Sequence, residues 1–279
     1  MKKEKILVVG GTGKTGRRIV TLLEDLGHQV RIGSRSASPA FDWRQPEQWP
    51  KVLESMDKVY ITYQPDLAVP GAFEAVAQLV KYAKETSIKK LVLLSGKGEV
   101  EAQRCEQVVI NSGLDHTIVR ASWFNQNFSE NFLLEPILQG VLALPQADVK
   151  IPFVDADDIA EVAVKSLLSE QHNGQIYQLT GSRRLTFVEA IEEIAEALGR
   201  NIQFIPISIQ QYSEGMRQQG IPEDFVWLIE YLFTEVLGNP MVSETTNDIE
   251  KVLKRKPIDF SDYVQKTAAL GFWDLAVEV

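Results

Sequence analysis

The sequence predicts an α/β fold: a Rossmann-like doubly wound parallel sheet with a small, mostly helical C-terminal subdomain. Three observations predict it. An apolar run, Ile6-Leu7-Val8-Val9, ends in the glycine turn Gly10-Gly11-Thr12-Gly13-Lys14-Thr15-Gly16. Strand-like and helix-like segments then alternate as far as Arg120. The last third loses that alternation and reads mainly as helices. Short, continuously apolar strands separated by helices are what a parallel sheet covered on both faces requires.

Each element has its own signal. Ile6 to Val9 is the first strand. Ile19, Val20, Leu22, Leu23 and Leu26 recur at helical spacing, and Gly27 stops that helix. Gln29 to Gly33 reads as the second strand. Residues 34–50 hold three prolines and two tryptophans and read as loop with a short helix. Lys58 to Thr62 is the third strand. Ala72 to Lys84 is a helix whose apolar stripe is Phe73, Val76, Ala77 and Val80. Lys90 to Leu94, Arg104 to Asn111 and Thr117 to Arg120 read as strand, helix and strand. Val149 to Val154 is expected as a strand, with Asp155 capping a helix to about Leu168. Gln175 to Leu179 is another strand. Thr186 and Glu189 form a T-x-x-E capping box before a helix that Gly199 ends. Ile202 to Ile207 suits a short strand, and 209–238 and 260–270 suit helices. The expected division is a nucleotide-binding domain over 1–180, with 121–150 partly lining the substrate cleft, and a substrate or lid subdomain over 181–279.

Composition excludes several classes. The 279 residues carry 29 Lys+Arg against 38 Asp+Glu, a net charge of −9, which disfavours nucleic acid and anionic membranes as partners. No apolar run approaches the roughly 18 residues of a membrane span, and no secretory signal is visible. The single cysteine, Cys105, excludes an intrachain disulfide and a multi-cysteine zinc site. His28, His116 and His172 lack ligand spacing, so no metal site is expected. These features together point to the cytoplasm.

The glycine turn is the strongest functional signal. Gly11, Gly13 and Gly16 fit G-x-G-x-x-G between a strand and a helix, the setting in which a pyrophosphate meets backbone amides at a helix N-terminus. A P-loop would need glycine at position 8, where Val8 stands. The second strand ends Arg31-Ile32-Gly33-Ser34-Arg35-Ser36, without the acid that would bind a ribose diol. Arg35 suits a 2′-phosphate, with Ser34 as a neutral donor and Lys14 adding charge. NADP(H) is therefore expected over NAD(H). Tyr63 and Gln64, ending the third strand, are candidates to flank the dinucleotide. Ser95 ends the fourth strand and Lys97 follows it. Trp123, Phe124, Asn125 and Asn127 follow the fifth strand, where a flat acceptor would stack and hydrogen-bond. Phe124 and Phe128 suit core packing equally well.

On these residues the chain resembles the NmrA-like branch of the atypical short-chain dehydrogenase/reductases, nearest its ergot-alkaloid-reductase and quinone-reductase members. The matching segments are the glycine turn, Arg35, Phe41-Asp42-Trp43 with Trp49, and Leu91 to Ser95. Ser112 to Arg120 followed by Phe124, and Phe153-Val154-Asp155 with Asp158-Ile159-Ala160, continue the match. The resemblance spans about residues 5–270. It implies a nucleotide-binding domain, a small substrate domain and an active site in the cleft between them. Members divide into NADPH-dependent reductases and cofactor-sensing regulators. The Tyr-x-x-x-Lys pair of the wider superfamily is missing, since residues 95–106 read SGKGEVEAQRCE. Lys97 and Ser95 are the candidates left for the catalytic role. Lys97 would hold the ribose or donate a proton, unless it is a plain loop lysine. The expectation is an NADPH-dependent reductase of a small flat quinone, carbonyl or iminium acceptor. The alternative is a non-catalytic redox sensor acting through a protein partner. A homodimer is compatible with either.

Overall fold

The computed structural model describes residues 3–275 of the chain. From the N-terminus run β1 (Lys5–Val9), α1 (Lys14–Asp25), β2 (Gln29–Gly33), α2 (Trp49–Leu53), β3 (Lys58–Ile61) and α3 (Ala72–Lys84). Then follow β4 (Lys90–Gly96), α4 (Val100–Ile110), β5 (Asp115–Ala121), α5 (Asn127–Glu130), α6 (Leu134–Gln139) and β6 (Val141–Leu144). The remainder comprises α7 (Ala156–Leu168), β7 (Gln175–Leu179), α8 (Phe187–Leu198), β8 (Gln203–Pro206), α9 (Ile209–Gln218), α10 (Glu223–Tyr231), α11 (Asp248–Leu253) and α12 (Phe260–Ala269).

The chain divides into two compact units. The first holds residues 1–121, 156–179 and 251–254, and the second holds 122–155, 180–250 and 255–279. The chain crosses between the units more than once: 122–155 groups with the second unit and 251–254 with the first. Length and composition carry no signal for a chain that leaves a unit and returns to it.

The first unit is built on a six-stranded sheet in the order β2-β1-β3-β4-β5-β7, with each neighbouring pair parallel. Ile6, Leu7, Val8 and Val9 are fully buried because the sheet is covered on both faces. Helices α1 and α7 pack together, α7 also lying on β3, β4 and β5; α3 packs on α4. Phe41, Trp49, Val52, Leu79 and Val109 join one core with alternate strand residues. Each such side chain contributes about 1.5–3 kcal/mol on burial. The α3 stripe differs from expectation. Ala72, Val76, Leu79, Val80 and Ala83 are buried, whereas Phe73 is exposed beneath the Arg104 guanidinium, 5.1 Å from the ring centroid. Helix α4 starts four residues earlier than its apolar pattern suggests. Two lysines close the C-terminus of α7: Lys58 Nζ donates to the Leu167 carbonyl and Lys90 Nζ to that of Ser169, both at 2.8 Å.

The second unit has an aromatic core of Phe128, Phe153, Phe187, Phe233, Phe260, Tyr263 and Trp273. A two-stranded parallel sheet, β6 with β8, lies in this unit. The expected strand over 149–154 does not form; Ile151 and Val154 make only isolated bridges, to Leu185 and Phe124. With apolar residues but no continuous partner, that segment stays irregular. The capping box is as read: the Glu189 N–H donates to Thr186 Oγ1 and the Thr186 N–H to Glu189 Oε2. Helix α10 continues as a π-helical turn over Leu232–Val236. No helix among the described residues is long and apolar enough to cross a membrane.

Candidate functional site

Sheet topology places the first part of the site. The chain runs from β1 outward to β2, then returns to lay β3 on the other side of β1. That reversal opens a crevice beyond the carboxyl ends of β1 and β3, where doubly wound sheets take their ligands. The turn Gly10 to Gly16 lies there. The Gly10 N–H donates to the Gly33 carbonyl at 2.8 Å, and the Gly13 N–H to the Gly10 carbonyl at 2.8 Å.

The glycines are demanded by contact. Gly10 has φ +71°, and a Cβ there would stand 2.3 Å from Thr62 Cγ2. A Cβ at Gly16 would stand 2.1 Å from the Gly10 carbonyl oxygen, and one at Gly11 would stand 3.0 Å from that of Val8. Any side chain would push the turn from β3 and from α1. Gly13 caps α1 with backbone alone, and no acid stands in the first turn. The positive helix end therefore has no acidic side chain in its first turn to neutralise it, which suits an anion. Thr15 is held from behind: Tyr60, fully buried on β3, donates its hydroxyl to Thr15 Oγ1 at 2.8 Å. Thr12 is exposed and Lys14 half-buried. The turn therefore fits the pyrophosphate of a dinucleotide.

The end of β2 presents Ser34 and Arg35. Arg35 is exposed, and Ser34 Oγ lies 3.3 Å from Ser36 Oγ. The chain then folds back, with the Phe41 N–H donating to the Ser34 carbonyl at 2.9 Å. Tyr63 is half-buried with its ring 4.7 Å from that of Trp43, and Gln64 is exposed. Burial, with Cys105 and Glu74 adding, pushes the Tyr63 phenol up.

The carboxyl ends of β4 and β5 hold a second group of residues. Ser95 is buried, and its Oγ donates to Glu106 Oε1 at 2.7 Å. Glu106 on α4 is fully buried and also takes Arg120 Nε at 2.9 Å and Nη2 at 2.6 Å. Ser95 is thus committed to a Ser–Glu–Arg network, a positioning arrangement rather than a free nucleophile. Lys97 is no loop lysine in water. It is 5% exposed, with its N–H on the Ala121 carbonyl at 2.9 Å. Beside it, the Glu99 carboxyl folds over the Gly96 Cα, filling the space a Cβ would need. Burial first, then the charge of Asp66, its hydrogen bond and Glu106, raise Glu99 far above the usual carboxylate range. Asp66 is also raised by burial, against the Ala68 N–H that donates to it. Asp66 and Glu99 form a buried, hydrogen-bonded carboxyl pair in which burial and like charge favour a shared proton over two anions.

In the second unit, Asn125 and Gln126 are buried and both donate to Asp155 Oδ2, at 3.2 and 3.0 Å. Asn125 Oδ1 and Ser122 Oγ are buried with no hydrogen-bond partner. Trp123 is half-buried, edge-on to Phe187 and Phe233 at 5.6 and 5.2 Å. Phe124 and Asn127 are half-buried, whereas Phe128 is core.

Sequence reasoning missed Tyr60, Asp66, Glu99, Glu106, Arg120 and Asp155 as site residues. Each acts through a partner distant in sequence, so no local pattern marks it. Cys105 is buried, its thiol pushed up to about 11 by burial first. His28, His116 and His172 each bond locally or to a backbone neighbour: the Glu4 N–H, the Leu114 carbonyl and the Tyr177 hydroxyl. No group of three metal-ligating side chains occurs among the described residues.

This fold and turn define a dinucleotide-binding protein. A family model described as NAD(P)H-binding matches residues 10–170, and the chain belongs to that family. The chain is 29% identical to the prestalk A differentiation protein A of Dictyostelium discoideum, over 95% of this chain and 93% of that protein. It is also 29% identical to an NAD(P)H azoreductase of Xenophilus azovorans, over 95% and 98%. Its fold matches that of NmrA, a negative transcriptional regulator solved with NADP, at a TM-score of 0.76 and 17% identity, covering 100% of this chain and 99% of that one.

Proposed function

We propose that this chain is an NADPH-dependent reductase of a small, flat acceptor: a quinone, carbonyl, iminium or azo compound. The observation that carries the proposal is the glycine turn at the β1/β3 crevice with exposed Arg35 at the end of β2. The turn of Gly10, Gly11, Thr12, Gly13, Lys14, Thr15 and Gly16 would hold the pyrophosphate, with the Gly10, Gly11 and Gly13 amides spent on closing the turn itself. Arg35, with Ser34 and Lys14, would take the 2′-phosphate, and Tyr63 and Gln64 would flank the dinucleotide. When bound, the cofactor supplies a hydride.

The chain's own residues do the rest. Buried Lys97 is the candidate to fix the ribose or pass a proton, and a proton must join the hydride for a quinone, carbonyl or azo acceptor. Ser95 holds Glu106 and, through it, Arg120. Trp123 and Phe124 supply rigid aromatic surface. Asn125 and Asn127 supply amides, and the partnerless Asn125 Oδ1 supports an accepting role toward a ligand donor. The azo class enters because a relative of nearly equal length is named an azoreductase.

The competing reading is a redox sensor that binds the cofactor without turnover. It is favoured by the absence of tyrosine from residues 95–106. The test is NADPH oxidation at 340 nm across quinones, azo dyes, reactive carbonyls and iminium compounds. Turnover with one class supports the reductase. NADPH binding with no turnover in any class favours the sensor.

A further inference from the structure

The absence of an acid at positions 31–36 is only part of the charge around the end of β2. The Ala37 and Phe41 N–H groups both donate to the Ser34 carbonyl, at 3.2 and 2.9 Å. Residues 34–41 thereby close into a loop, and Asp42 comes back beside the strand end. Its place is fixed. Phe41 and Trp49 are buried on either side in sequence, and Trp49 Nε1 donates to the Asp42 carbonyl at 2.8 Å. The Asp42 carboxylate takes the Arg44 N–H at 2.9 Å, Arg44 Nε at 3.2 Å and Arg44 Nη2 at 3.1 Å. Arg44 first, and Arg35 further down the order, hold that carboxyl below its usual range. An anion therefore follows directly on Phe41, whose N–H closes onto the Ser34 carbonyl beside Arg35, and the Arg44 guanidinium is spent on it.

We propose that Asp42 sets the dinucleotide selectivity of this site by opposing the 2′-phosphate that Arg35 attracts, so that the chain accepts NAD(H) alongside NADP(H). The proposal rests on the cofactor reading above and deepens it. A 2′-phosphate brings between one and two negative charges, which Asp42 repels; NAD(H) brings none there. Neutralising Asp42 removes the repulsion and frees Arg44. For partly screened charges this amounts to about five- to tenfold in relative affinity. The Asn replacement keeps the oxygen that accepts the Arg44 N–H, so the loop retains its closure.

The experiment is calorimetric titration with adenosine 2′,5′-bisphosphate and with adenosine 5′-monophosphate, which differ only in the 2′-phosphate. Wild type, Asp42→Asn, Arg44→Gln and Arg35→Ala are compared at low and moderate salt. Asp42→Asn should raise the bisphosphate preference about five- to tenfold, less at higher salt. Arg44→Gln, which leaves the carboxylate unclamped, should lower it. Arg35→Ala should largely abolish it. An unchanged or reduced preference in Asp42→Asn, with Arg35→Ala still lowering it, overturns the role of Asp42 while leaving the cofactor reading standing. An unchanged preference in Arg35→Ala overturns the reading of the 2′-phosphate site itself.

Discussion

The Tyr60 hydroxyl donates a 2.8 Å hydrogen bond to Thr15 Oγ1, joining the middle of β3 to the first turn of α1. Both groups are buried, so the bond is shielded from water, and burial pushes the Tyr60 phenol well above its usual range despite Thr15. The glycine turn is thus braced through a side chain as well as by its own backbone. Tyr60→Phe should weaken NADPH binding by about fivefold, the worth of roughly one net hydrogen bond. Fluorescence titration with NADPH measures it, and an unchanged affinity would remove Tyr60 from the account.

Gly16→Ala is the sharper version. Its Cβ would stand 2.1 Å from the Gly10 carbonyl oxygen, so the turn must open. The expected result is loss of NADPH binding by at least about tenfold, with a fall in melting temperature of several degrees. Normal affinity in a folded variant would contradict a cofactor cradle at Gly10–Gly16.

Lys90 gives a pH dependence with a definite sign. Burial, with Lys58 adding, lowers its ammonium to about 8, against 10.5 for a free lysine. Between those values the unfolded chain binds more protons than the folded one, so this group makes stability rise as pH increases from about 8 to about 10.5. Lys90→Met should flatten that rise in thermal melts. A wild-type and variant pair with parallel profiles would remove Lys90 as the source.

Arg183 binds Glu193 and Asp259 together in the second unit, at 2.5 and 2.8 Å. Burial alone would raise Asp259, but the Arg183 hydrogen bonds and the Ser261 N–H and hydroxyl outweigh it and hold the carboxyl well below 3.8. The clamp's contribution is complete above the unfolded value and is lost as pH falls through the folded one. Asp259→Asn should lower stability at pH 7 and lessen the loss seen below pH 4. Acid titration followed by tryptophan fluorescence reads this, since Trp273 lies in the same core.

Glu99 runs the other way. Its folded value is raised, so it contributes most at low pH and loses that contribution as pH climbs from the unfolded value near 4.5 toward the folded one. Glu99→Gln should melt higher than wild type at pH 8, with the gap closing at pH 5. A variant whose gap from wild type does not change between pH 5 and pH 8 would remove Glu99 as the source of this pH dependence.

The fold was legible because its signals are local and repeated. Ile6 to Val9, Gly10 to Gly16 and the Thr186/Glu189 box each satisfy a demand that few other residues can meet. The glycine turn was legible for the same reason: Gly16 has no substitute where a Cβ would stand 2.1 Å from a carbonyl oxygen. The second group of residues was not. Glu106 and Arg120 lie 14 positions apart, and Asp66 and Glu99 lie 33 apart, so only the folded chain joins them. Asp42 was legible only as part of the Phe41-Asp42-Trp43 segment, because its return to the strand end depends on the Ala37 and Phe41 hydrogen bonds to the Ser34 carbonyl. Phe73 misled the α3 reading because its spacing is helical while its contact is with Arg104 at the surface.

The proposed transfer of reducing equivalents from NADPH to a flat acceptor has a direct assay. It is tested most directly by acceptor-dependent NADPH oxidation, wild type beside Arg35→Ala, each also run with NADH. The expected result is turnover that depends on the acceptor and that Arg35→Ala weakens for NADPH while leaving NADH largely unchanged. NADPH binding without consumption for any acceptor, or equal losses with both cofactors in Arg35→Ala, would contradict it.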